Sequence, residues 1–504
     1  MDILINLGHG LLQVLEPANM LVLIVGLVLG MLVAVLPGLT LVMGVVLALP
    51  FTYSMGLLPA IILLTAMYVS GTYGGAFTAI LFRIPGEPID VPLLWDGYAM
   101  ARQGMPAKAL GWTLFAALGG GLIAATVMVV LSGPVAKFAL TFSSPEYFAI
   151  ILFGLASVVS LGGGSITNAF ISLFVGLLIA TVGVDSIYGA ERFAFGLPFL
   201  QDGIEYLLVM VGAYGLGEVF TRLGKGYASQ GPSTDSGTDD RFRTELPSLK
   251  EIGQVKTTFL RSSLIGILVG IVPGAGATVA SFVAYGAEGQ YGKRRKELGS
   301  GIAEGIVAPQ TAATSSVGGA LIPLLTMGIP GSGATAIILG AFLLHGVQPG
   351  PQVFATSGPL VYAIFASLFV SIIGMCIIGY FAIKGLVKVL DLPEAVVSAF
   401  VVLFCFIGAF AARNNLSDLY VITAFGILGY LFEKFRFPIA PMVLGTILGP
   451  LAESSFMTMM VSHDNDWTVL IGRPVSAVLM VLAVVALVYP IQRQLRERTL
   501  RKTP

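Results

Sequence analysis

Four Pro-Gly steps stand inside otherwise apolar sequence: Pro37-Gly38, Pro85-Gly86, Pro273-Gly274 and Pro330-Gly331. Proline has no N–H and its ring clashes with the preceding turn, while glycine reaches backbone angles that other residues avoid. Each step therefore predicts the end of a helix. In hydrocarbon an unpaired backbone group costs several kcal/mol, so broken backbone survives there only where protein buries it or a wet cavity meets it. Such backbone is chemically useful. A helix N-terminus offers N–H groups and partial positive charge to an anion, and free carbonyl oxygens suit Na⁺.

Small and hydroxyl residues accompany the steps. Leu39 and Thr40 follow the first; Ser70, Thr72, Tyr73, Gly74 and Gly75 precede the second. Gly276 and Thr278 follow the third; Thr314, Ser315 and Ser316 precede the fourth, and Ser332 follows it. These groups can hydrogen-bond a carboxylate without bringing buried charge, so the chemistry predicted is reversible binding of a small organic anion. Glu304, Gln310 and Thr311, between two of the steps, are the candidates for contact with a coupling ion. Asp96, in "LWDGYAMARQG", reads as a structural residue at a loop edge.

Covalent chemistry finds no support. The apolar runs hold no paired carboxylates, no metal-ligand cluster and no nucleophile–base arrangement, and the three histidines (His9, His345, His463) are scattered. Cys376 and Cys405 lie in apolar runs as packing residues. There is no G-x-x-x-x-G-K-[ST] for ATP. Formal net charge is zero, so no nucleic-acid footprint is expected. No cofactor or metal is expected.

The elements that must hold these residues are membrane helices. The chain is 56% hydrophobic and 11% charged, against about 25% charged in a soluble domain. Apolar runs recur along its length, and at about 20 residues per crossing they predict roughly 10 to 12 full or partial crossings. The expected fold is an all-α polytopic membrane protein.

A polar stretch at 221–256, rich in Gly, Ser, Asp and Pro, reads as a linker. It separates a first membrane repeat (1–220) from a second (257–490), with a basic tail at 491–504. "GMLVAVLPGLT" at 30–40 matches "GILVGIVPGAG" at 266–276. "SGTYGGAFTAILFRIPGEP" at 70–88 matches "SSVGGALIPLLTMGIPGSG" at 315–333. The halves are thus expected to be duplicates. Residues 1–82 contain no Lys or Arg, and basic residues follow the second break of the first half (Arg83, Arg102, Lys108). In the second half they follow the first break instead (Lys293, Arg294, Arg295, Lys296). Cytoplasmic loops are enriched in Lys and Arg, so the repeats are expected to be inverted, with linker and C-terminus cytoplasmic.

Nearly end to end, the sequence resembles the large membrane subunit of the tripartite tricarboxylate transporter family. The resemblance rests on "LPGLT", "GTYGGAFTAILFRIPGEP", "SPEYFAIILFGL", "GLLIATVGVDSIYGAERFAFGLPFLQDGIEYL", "GIVPGAG", "GSGIAEGIVAPQ", "GGALIPLLTMGIPGSGATAIILGAFLLHGVQPGP" and "GILGYLFEKFRFPIAPMVLGTILGPLAE". It implies a bacterial inner-membrane permease for carboxylates, driven by an Na⁺ or H⁺ gradient. A small membrane subunit and a periplasmic solute-binding protein would be its partners, and a homo-oligomer is compatible with it. The paired Pro-Gly regions would be the binding elements. Where the family pattern reads Ala-Pro-Glu and then Asn-Asn-Ala, this chain has Gln310, Ala313, Thr314 and Ser315. One carboxylate and two amides are replaced there, so citrate is not the expected default substrate. The reading of another class is a substrate-gated channel or sensor for organic anions.

Overall fold

The computed structural model describes residues 2–36, 39–161, 165–185, 189–225, 244–388 and 393–500. Among them the regular structure is helical apart from one short hairpin, in which Gly183–Val184 pairs antiparallel with Glu191–Arg192. Among the described residues, six helical segments are long and apolar enough to cross a membrane: Pro17–Val35, Leu57–Phe82, Pro106–Ala139, Tyr206–Gly224, Gly358–Phe381 and Ile439–Ser462. Shorter apolar helices of 10–17 residues accompany them, as interrupted runs require. The chain is an all-α polytopic membrane protein.

Two compact units form, and each draws on both sides of the polar stretch: Met1–Lys137 with Tyr227–Phe400, and Phe138–Gly226 with Val401–Pro504. The longer helices of the first unit are α1 (Asp2–Val14), α2 (Pro17–Val35), α3 (Leu41–Thr52), α4 (Leu57–Gly74), α5 (Ala76–Phe82), α6 (Leu93–Arg102) and α7 (Pro106–Ala139). After the polar stretch come α8 (Leu249–Ile271), α9 (Gly276–Tyr291), α10 (Ala303–Met327), α11 (Gly333–Leu344) and α12 (Gly358–Lys388). Structure enters the predicted linker from both sides. Helix continues to Lys225, and α8 starts at Leu249. The first turn of α8 is too polar to read as membrane, but Ser248 and Glu251 form a capping box that starts the helix there.

Within the first unit, α2 packs on α4 and α8 packs on α10 through the same close approach. A Cβ on Gly30 would lie 2.4 Å from Met67 O and 2.2 Å from Ser70 Oγ. On Gly266, the matched residue, it would lie 2.3 Å from Ala312 O and 2.8 Å from Ser315 Cβ. Met67 aligns with Ala312 and Ser70 with Ser315, so the sequence duplication is also a duplication of contacts. Small residues at such crossings let backbones touch, which substitutes for a hydrophobic driving force that lipid does not supply. In the second unit, Arg192 holds the hairpin to Glu453 of helix Ile439–Ser462 through two bonds of 2.5 and 3.2 Å. Buried Glu146 pairs with Arg473 at 2.6 Å.

Candidate functional site

Three of the four Pro-Gly steps, at Pro85, Pro273 and Pro330, coincide with gaps between helices. α2 ends at Val35 and α3 begins at Leu41; α5 ends at Phe82; α8 ends at Ile271 and α9 begins at Gly276; α10 ends at Met327 and α11 begins at Gly333. Pro37 and Gly38 lie outside the described residues. Past each second break, at Pro85 and Pro330, the chain folds back against the helices it has left. A Cβ on Gly86 would lie 2.1 Å from Ala34 O and 2.6 Å from Gly75 Cα. On Gly331 it would lie 2.4 Å from Gly270 O and 2.8 Å from Ala320 Cα. Ala34 aligns with Gly270 and Gly75 with Ala320, so this fold-back is built twice. In the second half Gly274 N also donates to Gly331 O at 3.1 Å. Gly274 and Gly276 have φ of 81° and 61°, which closes the turn between Pro273 and α9.

The breaks of the two halves meet. Ser332 Oγ donates to Tyr68 Oη of α4 at 3.0 Å. A Cβ on Gly276 would sit 3.5 Å from Ser332 Cβ, and one on Gly333 would sit 3.2 Å from Val42 of α3. The N-termini of α3, α9 and α11 therefore gather around Tyr68 and Ser332.

These N-termini are not equivalent. On α3, Thr40 Oγ1 accepts from Met43 N at 3.2 Å and the Glu87 carboxylate accepts from Leu41 N. Glu87 N donates in turn to Asp90 Oδ2 at 3.0 Å. On α11, Ser332 N donates to Thr335 Oγ1 at 2.8 Å and Thr335 N to Ser332 Oγ at 3.2 Å. α9 begins after Ala275, which offers no side-chain cap. In the aligned halves Glu87 falls on Ser332 and Asp90 on Thr335. The first half thus sets a carboxylate of its own on a helix N-terminus, and the second half sets a serine beside an uncapped one.

Leu39 is buried and Thr278 half-buried in the first turn of α9. Ser70, Gly74 and Ser315 sit in the seams between helices, and Ser315 Oγ donates to Gly120 O of α7 at 3.0 Å. Tyr73 is fully buried with its ring edge-on to Phe77. Gln310 Nε2 donates to Thr72 O at 3.1 Å and to Thr314 Oγ1 at 3.2 Å, and Thr311 is buried one residue further. Glu304 stands roughly 24 Å along α10 from the level of Ala320. There it faces Arg294 at 3.5 Å and lines a separate cleft of about 180 Å³ with Lys108, Glu251 and Arg294. The residues that sequence reasoning did not assign are Tyr68, Glu87, Asp90 and Thr335. Laying "PGEP" over "PGSG" would have exposed the Glu87–Ser332 exchange.

Apolar helices interrupted at matched places define a multi-pass membrane protein. The chain belongs to the tripartite tricarboxylate transporter TctA family, whose model matches residues 20–444. It is therefore a component of a tripartite transporter. Two relatives come from Agrobacterium vitis. One, an uncharacterized 52.8 kDa protein in the TAR-I ttuC' 3' region, is 34% identical over 99% of this chain and 98% of its own length. The other, an uncharacterized protein in the TAR-II ttuC' 3' region, is 35% identical over 46% of this chain and 96% of its own length. No solved structure matches the chain.

Proposed function

We propose that this chain is the large permease subunit of a secondary-active uptake system for small organic carboxylates, and that a substrate carboxylate docks at the N-terminus of α9. The Glu87–Ser332 exchange carries this reading. Glu87 displays how a carboxylate sits on the N-terminus that follows a break. A carboxylate from solution would complete at α9 what Glu87 completes at α3, with the Ser332 and Tyr68 hydroxyls beside it. Gly274 N is engaged by Gly331 O, and Gly276 brings no side chain to the N–H groups of the first turn of α9. An anion at a partly buried helix N-terminus gains up to about 2 kcal/mol from the dipole, and each charge-assisted hydrogen bond adds about 1.5–3 kcal/mol. Two or three such contacts reach the roughly 4–8 kcal/mol of millimolar to micromolar binding.

In this reading a periplasmic binding protein hands substrate over, a small membrane subunit completes the complex, and an Na⁺ or H⁺ gradient supplies the driving force. The bacterial inner membrane is the expected location, with the C-terminus cytoplasmic. Membership of a tripartite family, the absence of an ATP-binding loop and the opposed charge of matched loops all support this. The opposed loops also favour inverted halves, in which one bundle moves against the other.

Ser332→Glu tests the site. It would give the second half its own carboxylate, at an effective concentration on the order of millimolar. Uptake should then show at least a tenfold rise in KM with the protein still present in the membrane, and Ser332→Ala should retain measurable uptake. Wild-type KM in Ser332→Glu would remove the site.

A further inference from the structure

His345 caps the C-terminus of α11, and both of its ring nitrogens face carbonyl oxygens. Nδ1 lies 2.8 Å from Ala341 O, one turn back on its own helix. Nε2 lies 3.0 Å from Met55 O, in the turn that joins α3 to α4. A carbonyl only accepts. A neutral imidazole has a single N–H, so it can satisfy one of these oxygens and must aim a lone pair at the other; only the imidazolium donates to both. The C-terminal end of a helix also favours a cation.

Position makes this contact consequential. α3 and α11 are each 12 residues long. Their N-termini lie at the candidate site, and His345 joins the turn after α3 to the end of α11 at the opposite ends of both helices. Matched chemistry closes the other side of the unit. Asp96 of α6 accepts from Gly299 N, Gly301 N and Ile302 N in the turn between α9 and α10, at 2.9–3.0 Å. Each half thus clamps a turn of the other, one clamp by carboxylate and one by imidazole. Imidazoles are the side chains that exchange a proton between pH 5 and 8.

We propose that His345 is a proton-dependent clamp on the α3–α11 pair, bonding both carbonyls only as imidazolium and keeping just one of the two bonds when neutral, so that the clamp loosens on loss of the proton and access to the site along these helices varies with pH. α3, α11 and the segments 53–56 and 346–350 contain no Asp, Glu, Lys, Arg or second His; the titratable side chains are Tyr53 in the turn and Tyr68 and Tyr73 on α4. α10, also packed against α11, carries only Glu304, at its far end. The clamp is a feature of the fold in its own right. Only its consequence for uptake rests on the site proposed above.

The test is spin-label EPR on the full chain in nanodiscs, with Ser54→Cys and Gln348→Cys labelled in a background where Cys376 and Cys405 are alanine. Ser54 and Gln348 are exposed on the two sides of the clamp. Dipolar broadening should be strong at pH 5.5 and weaker at pH 8. His345→Ala should show the weak signal at both pH values. His345→Arg, which stays charged and keeps its donors at any pH, should show a signal that does not change with pH. Size-exclusion profiles verify that each variant is folded, and if His345→Arg is not, the alanine variant still decides. A pH-independent signal with His345 present, or a pH shift that survives in His345→Ala, overturns the proposal. Neither readout involves substrate, so failure of Ser332→Glu to alter uptake would leave this result standing.

Discussion

Replacing Gly331 by alanine would place a Cβ 2.4 Å from Gly270 O and 2.8 Å from Ala320 Cα. Both neighbours are backbone atoms, so no rotamer change relieves the contact. Overpacking of this kind costs about 1–3 kcal/mol. Relief by moving the 328–332 segment would break the Gly274 N to Gly331 O bond of 3.1 Å, at a further cost of about 1 kcal/mol. Together these reach about 2–4 kcal/mol, equivalent to a roughly 30- to 1,000-fold loss of the arrangement in which the third and fourth breaks touch. Gly270 of α8 and Ala320 of α10 also touch each other across their seam, so a thermal midpoint close to wild type in detergent is required before the loss is read as functional. The assay is uptake of radiolabelled carboxylates by cells that carry the whole tripartite system, normalised to the amount of permease in the membrane. Gly331→Ala should lose at least tenfold. Gly86→Ala, with its Cβ 2.1 Å from Ala34 O, should lose as much. Gly286→Ala on α9 is the control, since nothing lies within 4 Å of its Cβ. If Gly331→Ala takes up substrate within twofold of Gly286→Ala, the fold-back is not part of the working site.

Two further expectations concern the ties around the first unit. Asp96 is fully buried and accepts from three backbone N–H groups and from Tyr285 Oη at 2.8 Å. Asp96→Asn would turn an NH₂ group toward donors, leaving one or two of them unsatisfied at about 1–3 kcal/mol each; a lower thermal-inactivation midpoint in detergent should follow, and an unchanged midpoint would show that the tie is dispensable. Lys108, followed by Ser248, holds the Glu251 carboxyl down at about 2, from an ordinary 4.5. A carboxyl lowered on folding stabilises the protein above its ordinary range and loses that contribution as pH falls toward the lowered value. Lys108→Met should therefore reduce the drop in midpoint between pH 5 and pH 3, by an amount under about 1 kcal/mol for a partly exposed pair. An identical acid slope in both proteins would assign the lowering to Ser248 alone.

The membrane class and the breaks at Pro85, Pro273 and Pro330 were legible in the sequence, because each depends on local chemistry. A missing N–H at Pro273 or Pro330 and the long apolar runs act the same way whatever surrounds them. Matched glycines, such as Gly30 with Gly266, keep the trace of a repeated helix crossing. Which hydroxyls face the breaks was not legible. Ser70, Ser315 and Ser332 are chemically alike, yet two lie in helix seams and one lies against Tyr68 and Gly276. Direction around a helix and the partner across the interface decide this, and those partners are up to 264 residues away. Glu304 looked like a site residue by its neighbours in sequence, but the helix carries it to the far end of α10. Conversely, Glu87 reaches the N-terminus of α3 and His345 reaches Met55 only because the chain folds back on itself. Local covalent chemistry dictates where a helix must stop; only the packing of distant segments dictates what its exposed end then meets.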